Sequence, residues 1–404
     1  HKRGIRIIVE IIPNHSSDLH PWFQASRDPN HPEHEKYKDW YVWSDTDQKY
    51  KDARIIFTDS ETSNWAWDEV RGQYFWHRFY STQPDLNYDN EEVQQEMLDI
   101  VKFWIDRGAD GLRVDAPPYL FEREGTNCEN LPETHAFLKR MRAFVDEYAP
   151  ETLLLSEANM WPEEVIEYFG DGDEMHMNFH FPLMPRLFMA LARGDRQPIV
   201  DILARTPKLP KYCQWGTFLR CHDELTLEMV TPEERQWMWE TYSPDPKQRI
   251  NLGIRRRLAP LLDNDLRKNL MMNSMLLTMI GSPFLYYGDE IGMGDDISLF
   301  DRNGVRTPMQ WDATPGAGFS DAPKDKWYSP VISDEVYGYE KVNVEAQEAD
   351  PNSLLKQLRH MIKARKQYPL FGWAEFEWLD FTEGKQTVVA YKREWEGDYF
   401  IVLN

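Results

Sequence analysis

The fold of this chain is decided by residues 111–115, Gly-Leu-Arg-Val-Asp, an apolar run that ends in a carboxylate. Two later stretches repeat the arrangement, residues 154–157 (Leu-Leu-Ser-Glu) and residues 218–223 (Phe-Leu-Arg-Cys-His-Asp). Continuous apolar runs of this kind are typical of buried parallel strands. The loops that follow such strands build the active face of an α/β barrel, so three acids are expected to converge there. Convergent carboxylates favour cleavage of a glycosidic bond.

Strands and helices alternate on both sides of this core. Residues 5–12 are almost continuously apolar and β-branched and predict another buried strand. Further strands are predicted near residues 152–157, 174–181, 214–222 and 283–287. Helical periodicity lies between them, as in the face formed by Val93, Met97, Ile100, Val101 and Trp104. This alternation predicts a (β/α)8 TIM barrel, and the count of six strands leaves the first two βα units to be expected upstream of residue 1.

Two regions interrupt the alternation. Residues 16–90 are rich in aromatic residues, Asp, Asn and Pro, and a connection that long is seldom a bare loop. They are predicted to form a subdomain inserted after the third barrel strand. Residues 371–404 change to short alternating strands and predict the start of a truncated C-terminal β-sandwich domain. The predicted catalytic barrel therefore comprises residues 1–15 and 91–370.

The charge of the chain limits its partners. Lys and Arg total 46 against 68 Asp and Glu, a formal net charge of −22, which disfavours nucleic acid and anionic membranes. The expected partner is a small neutral molecule, and no organic cofactor is expected. A homo-oligomer is left open. No stretch is apolar enough to span a bilayer. The cysteines are Cys128, Cys213 and Cys221. The last two are predicted to share one strand, roughly 26 Å apart, and reduced thiols favour a cytoplasmic location.

Four short motifs occur in one order, each at a predicted strand end. They are residues 10–15 (Glu-Ile-Ile-Pro-Asn-His), 111–116 (Gly-Leu-Arg-Val-Asp-Ala), 156–159 (Ser-Glu-Ala-Asn) and 221–223 (Cys-His-Asp). In this order they resemble the motifs of the α-amylase superfamily, glycoside hydrolase family 13. The resemblance covers the whole chain, from the third barrel strand into the C-terminal β domain.

Longer strings resemble particular members of that superfamily, those that interconvert maltose and trehalose. These strings are residues 119–135, 179–189, 222–229, 251–260 and 304–311, the last of which is shared with oligo-α-glucosidases. The resemblance implies intramolecular transglucosylation by a retaining double displacement through a covalent glucosyl-enzyme, with some hydrolysis to glucose. Isomerisation needs a pocket closed against water, and residues 119–135 and 224–263 are the expected lid. The alternatives are an α-glucosidase that hydrolyses small α-glucosides and an inactive fragment or non-catalytic relative.

The resemblance assigns roles to the three acids and to their neighbours. Asp115 is expected to be the nucleophile, Glu157 the general acid and then base with a raised pKa, and Asp223 the stabiliser of the oxocarbenium-like transition state. Arg113 precedes Asp115 by two residues on a strand, so both side chains face the same way. The expected substrate-binding residues are His15, Arg113, His222 and Arg306. For Arg306, an ion pair with a loop is an equally open alternative.

The resemblance also implies a structural Ca²⁺ that joins the inserted subdomain to the barrel. The matching positions are the side chains of Asn14, Asp85 and Glu122 and the backbone carbonyls of Tyr119 and Leu120. Carboxylate and carbonyl oxygens are ligands that suit this hard cation. The alternative is that Asp85 and Glu122 are ordinary surface acids.

Three residues depart from the family motifs. Glu10 stands where the family usually has Asp, Pro13 replaces an apolar residue, and Cys221 replaces Asn and its two amide hydrogen-bonding functions. None of these changes removes the nucleophile, the proton donor or the stabiliser. A barrel without its first two βα units exposes two sheet edges, so residues 1–404 alone are expected to be poorly soluble or inactive, and the parent chain active.

Overall fold

The structure, a computed structural model, describes residues 1–368, 370–379, 384 and 386–404. The chain forms two compact units. The first comprises His1–Ala158, Glu163–Phe179 and Lys208–Gln214, and the second comprises Asn159–Pro162, His180–Pro207 and Trp215–Asn404. The division into barrel, inserted subdomain and β domain stays a prediction, and residues 380–383 and 385 of the predicted β domain lie outside the described residues.

The first unit contains a parallel sheet and a smaller antiparallel sheet. Its strands are β1 (Ile8–Ile11), β2 (Trp43–Ser44), β3 (Trp65–Asp68), β4 (Gln73–Trp76), β5 (Gly111–Val114), β6 (Leu153–Ser156) and β7 (Met177–Phe179). Its helices are α1 (Pro21–Arg27), α2 (His34–Tyr37), α3 (Glu91–Asp106) and α4 (Pro132–Tyr148), and α5 (Pro162–Val165) begins at its boundary.

The parallel sheet of the first unit has the strand order β1-β5-β6-β7. In β5 and β6, Leu112, Val114, Leu154 and Leu155 are almost completely buried, as is typical of strands covered by helices. β1 differs, because its residues Ile8 and Glu10 are exposed. On α3, Val93, Met97, Leu98 and Val101 form the buried face, and the side chain of Asn90 caps the first turn. The strands near 110–115 and 152–157 are thus found where the sequence predicts them.

Residues 16–90 hold α1, α2 and the antiparallel sheet β2-β4-β3. Aromatic rings form the interior of this region. Phe23 packs within 5.5 Å of Tyr41, Trp43 and Phe75, measured between ring centroids. The high aromatic content of the segment therefore serves packing, since such ring pairs bury large apolar areas.

The second unit carries the remaining elements. Its strands are β8 (Gln214–Phe218, beginning at the unit boundary), β9 (Leu225–Thr226), β10 (Arg249–Ile250), β11 (Gly253–Ile254), β12 (Ser282–Phe284), β13 (Glu375–Trp378), β14 (Ala390–Trp395) and β15 (Asp398–Leu403). Its helices are α6 (Leu183–Arg193), α7 (Gln197–Ala204), α8 (Pro232–Tyr242), α9 (Leu258–Leu261), α10 (Leu266–Thr278), α11 (Val344–Ala349), α12 (Leu354–Gln367) and α13 (Leu370–Trp373).

Three sheets organise these strands of the second unit. β8 and β12 pair in parallel, β9, β11 and β10 form a small antiparallel sheet within residues 224–263, and β13, β14 and β15 form another. The predicted short strands after residue 370 are therefore present. Among the described residues, no helix combines the length and apolar character needed to cross a membrane.

Four strands are shorter than the sequence predicts. The strand predicted at 5–12 is reduced to β1, in which Ile8 and Glu10 are exposed, so the prediction that it is buried was wrong. The strand predicted at 283–287 is reduced to β12. The predicted strand 174–181 is reduced to β7, because the ring of His180 turns to accept the backbone N–H of Leu183 at the start of α6. The predicted strand 214–222 ends at Phe218. Cys213 and Cys221 therefore do not share a strand, and that prediction was wrong, although all three cysteines are free thiols.

Candidate active site

The strand register of the first unit places Asp115 beside Glu157. Val114 pairs with Ser156 across β5 and β6, and each strand is followed immediately by its acid. The backbone N–H of Asp115 donates to the carbonyl of Ile11 (3.0 Å), and that of Glu157 donates to the carbonyl of Val114 (3.1 Å). The backbone of both acidic residues is therefore held by hydrogen bonds to the neighbouring strand. Two carboxylates are thereby fixed at adjacent strand tips.

A single guanidinium joins these two acids. Arg113 Nη1 lies 2.8 Å from Asp115 Oδ1, and Arg113 Nη2 contacts the carboxylate of Glu157. Arg113 also contacts Glu10, which pairs with it across β1 and β5. Arg113 is 13% exposed and Glu10 is 48% exposed, so the longer acid reaches the arginine from the solvent side. The predicted common direction of Arg113 and Asp115 is confirmed.

The backbone bends sharply after Asp115. Ala116 has a φ of 48°, in the left-handed region that a non-glycine residue seldom adopts, and Pro117–Tyr119 then form one turn of 3-10 helix. The surrounding structure must hold this conformation against a cost of about 1 kcal/mol. The bend ends the strand directly behind the nucleophile candidate and leads the chain toward Glu122.

Asn178 braces the segment that carries Glu157, a role that the sequence analysis missed. From β7 it accepts hydrogen bonds from the hydroxyl of Ser156 and from the backbone N–H of Ala158 (3.2 Å), and its own amide donates to the carbonyl of Phe179 (3.0 Å). Asn178 is completely buried. The sequence did carry one signal for this role. Asn178 is an amide within residues 175–179 (Met-His-Met-Asn-Phe), a mostly apolar stretch that is predicted to be a strand.

His15 lies in the same unit, near Asp115. Burial lowers the pKa of His15 to about 4, although the Asp115 carboxylate acts in the opposite direction. Its Nε2 is 3.2 Å from the side-chain amide of Gln83, and its ring lies 5.3 Å from that of Phe79. A neutral imidazole held in this way can exchange hydrogen bonds with a hydroxyl group without taking a charge.

Asp223 lies in the second unit, among three cationic or ionisable partners. Its Oδ1 is 2.6 Å from Arg306 Nη2 and 3.1 Å from Arg302 Nε, and its Oδ2 is 3.1 Å from His222 Nε2. Arg306 also donates from Nε to the carbonyl of His222 (2.8 Å). The structure thus brings together the predicted residues Asp223, His222 and Arg306, and adds Arg302.

The residues predicted to hold Ca²⁺ lie in the first unit and converge. The backbone N–H of Leu86 donates to the carbonyl of Asn14, and Asp85 forms a bridge with His15. Asp85 and Glu122 are 1% and 7% exposed, so the alternative of surface acids was wrong. Burial raises the pKa of Asp85 to about 8, and burial and the neighbouring Asp85 raise the pKa of Glu122 strongly.

Three oxygens in this cluster have no hydrogen-bond donor among the described residues. They are Asn14 Oδ1, Asp85 Oδ2 and Glu122 Oε1. The residues Tyr119 and Leu120, which shortly precede Glu122 in the chain, are also buried. The other oxygen of Asp85, Oδ1, accepts the backbone N–H of Arg78 (3.2 Å). Buried carboxylate oxygens without donors are costly unless a cation satisfies them. Among the described residues, no group of three or more His, Cys, Asp or Glu side chains is suited to a metal. The oxygen-only donor set fits Ca²⁺.

The other departures from the family motifs fit locally. The carbonyl of Pro13 accepts a hydrogen bond from the buried hydroxyl of Tyr88 (2.8 Å). Burial raises the pKa of the Cys221 thiol to about 11, so the residue beside His222 is a neutral thiol at neutral pH.

Comparisons with known proteins agree with this geometry. The model of the alpha-amylase catalytic domain matches residues 1–374. A trehalose synthase of Pimelobacter sp. (strain R48) is 57% identical over 98% of this chain, and the trehalose synthase/amylase TreS of Mycobacterium tuberculosis (strain CDC 1551 / Oshkosh) is 58% identical over 98%. The chain spans 70% and 66% of their respective lengths.

A solved structure supports the fold. The alpha-amylase of H.orenii superposes with a TM-score of 0.75 at 26% identity, over 100% of this chain and 71% of that one. This confirms the predicted TIM-barrel class, while the expectation of two βα units upstream stays a prediction. The chain therefore belongs to the alpha-amylase family and, within it, to the family of the trehalose synthases.

Proposed function

We propose that this protein interconverts maltose and trehalose by moving one glucosyl unit within a bound disaccharide. The observation that carries the proposal is the pair Asp115 and Glu157, on adjacent strand tips and bridged by Arg113. A retaining glycosidase needs one carboxylate as nucleophile and a second as proton donor, side by side. The two trehalose synthases that resemble this chain over 98% of its length support the choice of substrate.

The first half of the proposed reaction breaks the glycosidic bond of maltose. The Asp115 carboxylate attacks the anomeric carbon while Glu157 gives its proton to the departing oxygen. This forms a glucosyl ester on Asp115 and a free glucose in the pocket. Asp223 is proposed to stabilise the positive charge that develops on the sugar. The raised pKa expected for Glu157 stays a prediction.

The second half uses the released glucose as acceptor. Its anomeric hydroxyl attacks the esterified carbon, Glu157 takes the hydroxyl proton, and Asp115 leaves as a carboxylate. Two inversions give the α,α-linked product trehalose. His15, held neutral by burial, and His222 are proposed to bind sugar hydroxyls in both halves of the reaction.

We also propose that Asn14, Asp85 and Glu122, with the carbonyls of Tyr119 and Leu120, hold a Ca²⁺. Three donor-free oxygens in this buried cluster support the assignment. When bound, the ion would neutralise two buried carboxylates and tie residues 14, 85 and 122 together. Its role would be structural, because none of these oxygens belongs to the reacting pair.

Hydrolysis of small α-glucosides is the second candidate function. His222 is 45% exposed and Arg306 is 36% exposed, so solvent reaches this group of residues. Water that attacked the glucosyl ester would release glucose instead of trehalose. A salivary alpha-glucosidase of Aedes aegypti, 27% identical over 99% of this chain and 70% of its own length, is a more distant relative that supports this alternative.

The nature of the partner and the location of the protein are also proposals. A neutral disaccharide suits a chain whose formal net charge is −22, since charge neither attracts nor repels it. Three free thiols support a reducing compartment and thus a cytoplasmic location. A homo-oligomer stays open.

Product analysis from maltose distinguishes these functions. The enzyme is incubated with unlabelled maltose and excess ¹³C-glucose, and the products are followed by NMR. The proposal predicts trehalose as the main product, without ¹³C, because the acceptor never leaves the pocket. Glucose as the only product would favour the α-glucosidase, and no turnover of maltose or trehalose would favour the non-catalytic relative.

A further inference from the structure

Arg302 is shared between two carboxylates of the second unit. Its Nε lies 2.7 Å from Glu224 Oε2 and 3.1 Å from Asp223 Oδ1, and its Nη2 lies 3.2 Å from Glu224 Oε1. Glu224 therefore engages the guanidinium with both oxygens, while Asp223 shares one edge of it. Arg302 and Glu224 thus form a bidentate salt bridge, and Asp223 contacts the same guanidinium as a second carboxylate.

These three side chains are largely removed from solvent. Arg302 is 6% exposed and Glu224 is 12% exposed, whereas Asp223 is 32% exposed. Charges in such surroundings interact more strongly than charges in water. A change of charge at Glu224 must therefore be felt at Asp223 through the arginine between them.

Other residues fix the segment that carries Arg302. Arg255 donates to three carbonyls of that segment, those of Ile297 (3.1 Å), Leu299 (2.8 Å) and Asp301 (2.7 Å). The side chain of Asp301 in turn accepts from Arg302 Nη1 (2.8 Å). The guanidinium of Arg302 is thus held along its outer edge and cannot follow Asp223 freely.

The backbone of Asp223 is held independently. Arg220 donates from Nη2 to the carbonyl of Asp223 (2.6 Å) and from Nε to the carbonyl of Arg256 (2.7 Å). The Asp223 carboxylate also contacts Arg306 (2.6 Å) and His222 (3.1 Å), neither of which contacts Glu224 here. Glu224 can therefore act on Asp223 through the share of the Arg302 charge that each acid receives.

We propose that Glu224 is a positioning residue that acts through Arg302 to keep the Asp223 carboxylate oriented and negatively charged toward the sugar. This inference rests on the proposed function, in which Asp223 stabilises a cationic transition state. Glu224 occupies Arg302 with two oxygens, so the arginine neutralises Asp223 only partly. Without the charge on Glu224, more of the positive charge of Arg302 would act on Asp223 and weaken its field at the anomeric carbon.

The test is E224Q, which keeps the shape of the side chain and removes its charge. The substrate is neutral in the ground state and positive in the transition state, so kcat is expected to fall about tenfold or more while KM stays within about twofold. E147Q, at an exposed acid of α4, makes the same change of charge away from the site and is expected to leave both constants unchanged. Thermal melting confirms that each variant is folded.

A double-mutant cycle separates this role from a merely structural one. If Glu224 acts only through Arg302, E224Q/R302Q is no slower than R302Q alone, and R302K recovers part of the loss. Where R302Q fails to fold, the cycle is run with R302K. Additive losses, or an E224Q variant with kcat within twofold of the wild type, would overturn the proposal. A wild-type enzyme that turns over neither maltose nor trehalose is a different result, since it rejects the proposed function and this inference with it.

Discussion

Arg113 and Asp115, two residues apart at the end of one strand, form an ion pair in which Nη1 lies 2.8 Å from Oδ1. The same guanidinium also contacts Glu157 from the neighbouring strand. One cation therefore separates the two acids and orients both. A planar guanidinium with several fixed N–H groups suits this task better than an ammonium group.

The first prediction concerns this shared cation. R113Q removes the charge between two carboxylates and is expected to lower kcat/KM by about 10²-fold or more, because both acids lose their fixed geometry. R113K keeps the charge without the planar fork and is expected to recover only part of the loss. Steady-state kinetics with maltose and with trehalose measure the effect. An R113Q enzyme with more than half of the wild-type activity would contradict the assigned arrangement.

The second prediction separates the roles of the two acids. D115A and E157A are expected to lose activity by about 10³-fold or more. With an activated α-glucosyl substrate and azide, D115A should yield the β-glucosyl azide and E157A the α-glucosyl azide, since azide replaces the nucleophile in one case and the second acceptor in the other. E151A, at an exposed acid, is the control. NMR identifies the anomer of each azide product. If the two anomers were reversed, Glu157 would be the nucleophile and Asp115 the general acid and base.

The third prediction concerns the buried carboxylate of Asp85. Its pKa is about 8 in the folded protein and 3.8 in the reference state. The folded state thus binds this proton more tightly than the unfolded state does. The stabilisation of the folded state by the bound proton is complete below pH 4 and is lost as pH rises toward 8. In a calcium-free buffer with a chelator, the free energy of unfolding should fall by on the order of 3 kcal/mol between pH 5.5 and 8.

Two comparisons complete this third test. Saturating Ca²⁺ should remove most of the pH dependence and raise the melting temperature, because it binds the ionised folded form. D85N should remove the part of the pH dependence without calcium that comes from Asp85, leave the part that comes from the buried Glu122, and weaken the response to calcium. Urea unfolding at both pH values measures each case. Identical curves with Ca²⁺ and with chelator would reject the calcium site.

The fourth prediction concerns the brace at Asn178. N178A leaves the hydroxyl of Ser156 and the buried N–H of Ala158 without their acceptor, so the protein should lose about 2 kcal/mol of stability. S156A removes one of these donors and is expected to cost less. Chemical denaturation compares the two variants. Equal stability of N178A and the wild type would show that the amide does not support the strand tip.

Much of the first unit could be predicted from the sequence, because its buried strands are continuous apolar runs with an acid at the end. β5 and β6 begin and end close to their predicted positions. The calcium cluster was named from the resemblance, and its burial could not have been read from periodicity. It depends on Asn14 meeting residues 85–86, more than seventy positions later in the chain.

The predictions failed where a side chain ends an element through a distant bond. The strand predicted at 214–222 stops at Phe218, after which Arg220 reaches the carbonyls of Asp223 and Arg256. The pairing of Arg302 with Glu224 joins residues 78 positions apart and leaves no periodic signal. Apolar patterns predict what is buried, whereas such polar networks require the three-dimensional arrangement.

The most direct test of the central claim is to trap the covalent intermediate. The enzyme is treated with 5-fluoro-α-D-glucopyranosyl fluoride, digested and analysed by mass spectrometry. A fluoroglucosyl adduct on Asp115, absent when maltose protects the enzyme, is the predicted result. An adduct on another residue, or no adduct in an enzyme that turns over maltose, would contradict the account.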